Sequence, residues 1–358
     1  MKTRNNDIQL FKFVYSCVIV LYHLASSTAI NFPGGYCGVE YFLLSAGLFL
    51  FLSFENGEKS GKVQKTPGQY LLKRFCRFFP WSFTAFLMLV FGGRILISPT
   101  TSLIAWVDYL ASDIWEILMV KWNGMNNDVH LLNGPAWTLS AMLIVGFLIW
   151  SFLYYYKTPF VNFIIPISLI WGFGYWMHLP SANTEVWIGF TTFGTFRTWL
   201  IFCLSSYCLP LSKKLSEVSF NKAGKILLTS AEILIHMFAL AIMTVRAERY
   251  HQWLLTLLFV ISLAIAMSGH SYIAKSLENV KTANWLGELS MSIYLVHTFV
   301  IRVFRELIDI HTWSYGGAIL VFVTVFIVSV LHYYVTKWLI KLSSKLWFVF
   351  KQKIIEQP

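Results

Sequence analysis

The side chains best placed to do chemistry in this chain are Lys12 and His23. Both lie inside an apolar run near the N-terminus, KFVYSCVIVLYH, residues 12–23. An ionisable group in such a run is costly to bury and marks a functional hypothesis by default. Eleven residues of α-helix turn about 20° past three full turns, so the two side chains share a face about 16 Å apart along the axis. Ser16 and Ser27, each four residues from one of them, extend the same stripe. Lipid cannot satisfy a stripe of this kind, so it asks for a water-filled cleft. The competing reading is structural: His23 hydrogen-bonds to a neighbouring helix and Lys12 snorkels to the headgroups. His236, His297 and His332 also fall in apolar runs but lack a basic partner on the same face, and for them the structural reading is preferred.

A second cluster follows at YLLKRFCRFFP, residues 70–80. Arg74 and Arg77, three apart, share a helix face; Lys73 precedes them and Pro80 is expected to stop the segment. They suit either of two roles, ordinary basic anchors at a membrane surface or a pair of planar forks clamping phosphate. A phosphorylated donor entering at that end would meet Lys12, Arg74 and Arg77, and an arm about 16 Å long would bring its reactive end to His23. Coenzyme A, with its charged head and thin pantetheine arm, has that shape.

The elements that must hold these groups follow from composition. The chain has 358 residues, 57% hydrophobic, 18% aromatic and 13% charged, with net charge +11. Soluble domains carry roughly 25% charge, and disorder needs few aromatics, so both classes are excluded. The basic excess sits in short gaps between apolar runs and not on a water-soluble module, which argues against nucleic acid as a partner. The five cysteines show neither metal spacing nor a pairing pattern and read as small apolar residues. Runs of about 20 apolar residues predict an all-α, polytopic transmembrane bundle of about ten spans: 9–30, 36–54, 78–98, 135–156, 159–178, 195–211, 225–245, 251–269, 284–304 and 315–340. The first run resembles a signal peptide, but Asp7 and Lys12 interrupt it and its length is that of a span. About 20 of the 28 Lys and Arg fall on one side when both termini are cytoplasmic, which fixes that orientation; Arg94, Lys121, Arg197, Arg246, Arg249, Arg302 and Arg305 fall on the outer side. The long segment 99–134 then lies outside; it carries Asp108, Asp113, Glu116 and Asp128, and its stretch 102–120 is expected to be an interfacial or re-entrant helix. Residues 1–345 are expected to form one membrane domain, followed by a short basic tail, 346–358, on the inner leaflet.

Five ordered motifs make the chain similar to the integral-membrane acyltransferase family 3, whose members transfer acyl groups to sugars of bacterial surface polysaccharides and related acceptors. They are the basic residue and His at Lys12 and His23; GVEYFLLSAG at 38–47; Arg74, Arg77 and Pro80; Trp137, Leu139 and Ser140; and LGELSMSIYLVH at 286–297, with Gly287, Ser290, Tyr294 and His297. The chain departs from the family in having Ala141-Met142 where many relatives have a glutamate, Lys12 for the commoner arginine, and Ala46 between Ser45 and Gly47. A stand-alone member, with no hydrolase-like domain appended, is expected.

The resemblance implies a multi-pass enzyme of a bacterial cytoplasmic membrane, using acyl-CoA (acetyl-CoA above all) as donor and a glycan or lipid-linked sugar as acceptor. No metal and no permanently bound cofactor is implied. Lys12, Arg74 and Arg77 would hold the donor phosphates. His23 would act as general base or transient acyl acceptor, roles that a neutral imidazole suits near pH 7. Glu40 would orient His23 or a sugar hydroxyl, or else is an interfacial charge. Trp137, Ser140 and Ser45 would contact the acceptor, although Trp137 is equally a membrane-belt residue. The rival functions are a sugar-lipid carrier, whose transport path the polar stripe would line, and a membrane sensor.

Overall fold

The computed structural model describes residues 5–25, 32–61, 63–92, 102–120, 133–179, 184–245, 248–308 and 315–355. These residues form thirteen α-helices: α1 (Asn6–Ala25), α2 (Gly38–Lys59), α3 (Pro67–Leu89), α4 (Leu103–Ile117), α5 (Trp137–Pro159), α6 (Ile165–His178), α7 (Phe193–Ser205), α8 (Cys208–Glu217), α9 (Lys222–Met243), α10 (Arg249–Ser268), α11 (Tyr272–Leu277), α12 (Lys281–Ile308) and α13 (Tyr315–Ile355). A two-residue hairpin, Trp187–Ile188 with Thr191–Thr192, closes the turn before α7. The all-α polytopic bundle read from the sequence is what forms.

Eight helical stretches among the described residues are long and apolar enough to span a bilayer. One of them, residues 134–178, runs 45 residues and holds two of the expected spans. The chain reverses within it, at the non-helical Tyr156 (φ −139°, ψ 40°) and the π-turn Phe160–Ile164. Both its ends meet the start of α7: Trp137 packs on Gly194, and Trp176 lies 5.4 Å from the Phe193 ring. The span expected at 195–211 is split into α7, 13 residues long, and α8, which carries the chain on to Lys213 and its ion pair with Glu55 near the far end of α2. Among the described residues, dividing 134–178 in two and taking α7 with α8 as one passage brings the eight stretches to ten.

The third span lies about ten residues earlier than the apolar run suggested. Thr66 and Gln69 form a capping box, with Pro67 at the first helical position. α3 therefore starts at Pro67, carries Arg74 and Arg77 within its own length, and passes through Pro80 without stopping. Proline is tolerated inside membrane helices because neighbours re-satisfy the freed backbone. Helix α4, at 15 residues, is shorter than a span. It turns Asp113 and Glu116 inward and leaves Leu103, Ile104, Val107 and Leu118 exposed, the reverse of a water-facing helix. Helix α13 continues unbroken to Ile355, so the backbone of the expected tail extends the last span as far as that residue.

The principal core joins α1, α2, α5, α7 and α10, and a second joins α1, α12 and α13. α1 thus stands between two packed groups, with α12 along its length. Close approach of α2 and α7 depends on Gly47, where a Cβ would lie 2.2 Å from Ser205 Oγ and 3.2 Å from the Phe202 backbone. Gly174, on α6, has open space at the same position. Gly47→Leu should lower the melting temperature of the detergent-solubilised protein, by the equivalent of about 1–3 kcal/mol for overpacking. Gly174→Leu should leave it unchanged, and an equal loss in both would refute this account of the α2–α7 contact.

Candidate functional site

Helix α1 places Lys12 and His23 at different depths. Lys12 is half-buried, its Nζ 5.3 Å from the centre of the Phe49 ring on α2. Ser16 is buried and donates to the carbonyl of Phe13 at 2.7 Å. Its hydroxyl thus serves its own helix, and the continuous polar stripe expected on α1 is not formed at Ser16. Ser27 lies outside the described residues. His23, near the end of α1, lines a cavity of about 330 Å³ together with Thr298, Ile301, Arg302, Arg305 and Glu306, all from α12.

A second histidine meets it there. The His23 and His297 rings lie 4.9 Å apart, and His297 is fully buried. His297 Nδ1 faces the carbonyls of Ile293 (3.1 Å) and Tyr294 (2.9 Å). Carbonyls only accept, so Nδ1 carries the proton and Nε2 presents its lone pair. That Nε2 is buried without a hydrogen-bond partner among the described residues. The sequence reading took His297 as structural; the structure sets it against His23 instead. His236 and His332 do behave as structural residues. His236 bridges Tyr15 (2.8 Å) and Ser262 (2.7 Å), and His332 bridges Thr84 (2.8 Å) and Ser292 (3.0 Å).

Glu40 is fully buried and pairs with Arg197 of α7, which lies over the Trp176 ring. The carboxylate expected to orient His23 is thus engaged by a guanidinium, and Arg197, counted from sequence among the outer basic residues, is an interior charge. Tyr294, which shares helix α12 with His297, is within electrostatic reach of this pair. Trp137 and Ser140 are buried at the start of α5, with Trp137 against Gly194. Ser45 is buried and donates to its own helix at Phe42 (2.9 Å). None of Glu40, Ser45, Trp137 and Ser140 lines the His23 cavity.

At the opposite end, Arg74 lies 5.4 Å from the Tyr70 ring, which stacks on Trp150 at 4.4 Å. Trp150 Nε1 in turn donates to the carbonyl of Lys65 at 2.9 Å. Burial, followed by the neighbouring charges of Lys73 and Arg74, pushes the Lys65 ammonium below its usual pKa. Lys65, Lys73 and Arg74 therefore form one positive cluster, with exposed Arg77 a turn further along α3. Lys12 Nζ lies beside Phe49 of α2. A nearby cavity of about 270 Å³ between α2 and α8 is lined by Glu55, Lys59 and Lys213 among others, and not by Lys12, Arg74 or Arg77.

The family model described as an acyltransferase domain matches residues 5–335. The chain belongs to acyltransferase family 3. It is therefore a multi-pass membrane acyltransferase, and the matched region includes both histidines, both arginine pairs and the Glu40–Arg197 ion pair. No curated protein matches the chain. In this acyltransferase, His297, Arg302 and Arg305 escaped the sequence reading because it is the packing of α12 along α1 that brings them to His23 and its cavity. Lys65 was readable only as one more anchor.

The buried pair gives a test of the electrostatic account. Arg197→Met should strand the Glu40 charge and destabilise the protein by about 3–5 kcal/mol. The double variant Glu40→Gln/Arg197→Met should recover much of that loss in thermal melts. A double variant as unstable as the single one would show that Arg197 acts by packing alone.

Proposed function

We propose that this acyltransferase moves an acyl group, acetyl above all, from acyl-CoA to a hydroxyl of a cell-surface or lipid-linked glycan at a bacterial cytoplasmic membrane. The observation that carries the reading is the placing of His23: its ring lines a cavity at one end of α1, while the positive cluster of Lys65, Lys73 and Arg74 lies at the other end of the bundle. Family membership favours acyl transfer over the carrier and sensor readings.

In this reading the donor phosphates engage Arg74 and Arg77, with Lys65 and Lys73 adding charge, and the thioester arm passes Lys12 toward His23. Planar guanidinium forks suit phosphate oxygens. His23 accepts the proton of the acceptor hydroxyl as its oxygen attacks the thioester carbonyl. The C–S bond breaks, and the leaving thiolate takes a proton from the imidazolium, so that free CoA and an acyl ester result. With the two rings 4.9 Å apart, the bare Nε2 of His297 would, on accepting from His23, hold the other His23 nitrogen toward the hydroxyl, as the carboxylate does for histidine in a hydrolase triad. A two-step route, in which His23 carries the acyl group between donor and acceptor, uses the same groups.

Purified protein in nanodiscs, given labelled acetyl-CoA and a surface-glycan acceptor, should transfer label. His23→Ala should lose at least about a hundredfold of that rate, the lower range of general-base contributions, while binding CoA as the parent does. Full transfer by correctly inserted His23→Ala would remove the catalytic assignment. Arg74→Ala and Arg77→Ala should each weaken CoA binding severalfold and flatten its dependence on salt. Unchanged affinity would remove the phosphate clamp.

A further inference from the structure

The cavity beside His23 holds more positive charge than the transfer chemistry requires. Thr298, Ile301, Arg302 and Arg305 follow one another at helical spacing on the face of α12 that lines it. Arg302 and Arg305 are half-buried, whereas Glu306, the cavity's carboxylate, is exposed and reaches water. Two half-buried guanidiniums one turn apart line the same cavity as an imidazole near one end of a membrane helix, where ionisable groups are functional candidates by default. The sequence pattern explains these arginines only as outer charges, and outer ends of spans are where basic residues are least favoured.

We infer that Arg302 and Arg305 bind an oxyanion, a phosphate or a carboxylate, carried by the acceptor close to the hydroxyl that is acylated. The inference rests on the reading of His23 as the acyl-transfer residue. Under that reading the donor's phosphates are held at the far end of α1, which leaves this second cationic site to the other substrate. Paired guanidiniums on one face present parallel N–H groups to two oxygens of one anion. They orient the acceptor by a fixed group and leave its hydroxyl to the imidazole, which makes the site selective for acidic or phosphorylated glycans over neutral ones. Two sources share that chemistry: the phosphate that links a sugar to its lipid, and the carboxylate of an acidic sugar.

Three soluble probes separate the outcomes on the full-length protein in nanodiscs: N-acetylglucosamine, N-acetylglucosamine 1-phosphate and glucuronic acid, each with binding measured by saturation-transfer NMR and by calorimetry. At least one charged probe should bind tenfold or more tighter than the neutral sugar. Preference for the phosphate assigns the lipid-link source, and preference for the carboxylate assigns an acidic sugar. Arg302→Gln and Arg305→Gln should each erase that preference, Arg302→Lys should restore part of it, and CoA affinity should stay at the parental value in all three variants. Retained CoA affinity also shows that the variants are folded. Equal binding of charged and neutral probes, or a charged-probe preference that survives both glutamine variants, overturns the inference. Loss of CoA binding on replacing Arg302 or Arg305, with the Arg74 and Arg77 variants unaffected, would place the donor in this cavity and overturn it as well. If parental protein prefers a charged probe but His23→Ala transfers acetyl at the full rate, the oxyanion site stands and the catalytic reading of His23 fails.

Discussion

Hydrocarbon offers no hydrogen-bond partner, and this one constraint arranges the interior of the bundle. Each polar side chain in a span must find a partner within the protein or open on a cavity. Most do the former cheaply: Ser16, Ser45, Thr198, Ser205 and Ser329 donate to carbonyls of their own helices. His236 and His332 join helices through hydroxyl pairs, and Arg197 neutralises Glu40 between α2 and α7. His23, Arg302 and Arg305 instead line a cavity.

The spans were legible because about 20 apolar residues are needed to cross and few other structures require such runs. Their ends were not. At α3 the apolar run starts near Phe78, but the helix begins at Pro67 because Thr66 and Gln69 cap it, and local side-chain bonding outweighs hydropathy at that boundary. Pro80 reads as a stop in water and is accommodated inside the span. The reversal between α5 and α6 is an exception: Tyr156 and the π-turn residues 160–164 flank Lys157, Thr158 and Pro159, the gap that parts the two apolar runs in the sequence. The acidic residues of α4 marked it as unusual, and their inward turn, with Glu116 accepting from the Asn133 backbone, follows from contacts far along the chain.

The site divides in the same way. Lys12 and His23 could be paired from one helix's periodicity alone, as could Arg74 with Arg77. The partnership of His23 with His297 depends on α1 lying along α12, which no spacing within either segment encodes. His297 has only one apparent function when read on its own helix, and its tautomer becomes readable only when the Ile293 and Tyr294 carbonyls are seen to fix Nδ1. Glu40 shows the converse: a carboxylate placed by pattern near the histidine is committed elsewhere by an arginine 157 residues away.

The position of Lys12 ties the two ends together. It is six residues into α1 from Asn6, about 9 Å along the axis, with Phe49 of α2 beside its ammonium. A charge at that depth, between the basic cluster of α3 and the cavity at His23, is of little use as a surface anchor, because the headgroups next to α3 already have Lys73 and Arg77. Under the proposed function it would serve a ligand that threads the bundle. An acyl thioester arm is thin and polar at its amides, and an ammonium held partway along its route offers those amides a donor without demanding a second fork. Lysine in place of arginine fits that role: a compact point charge on a flexible stem stabilises a passing dipole, whereas a planar fork would hold an anion fast. In the proposed reading, the tight binding is left to the guanidiniums at the two ends.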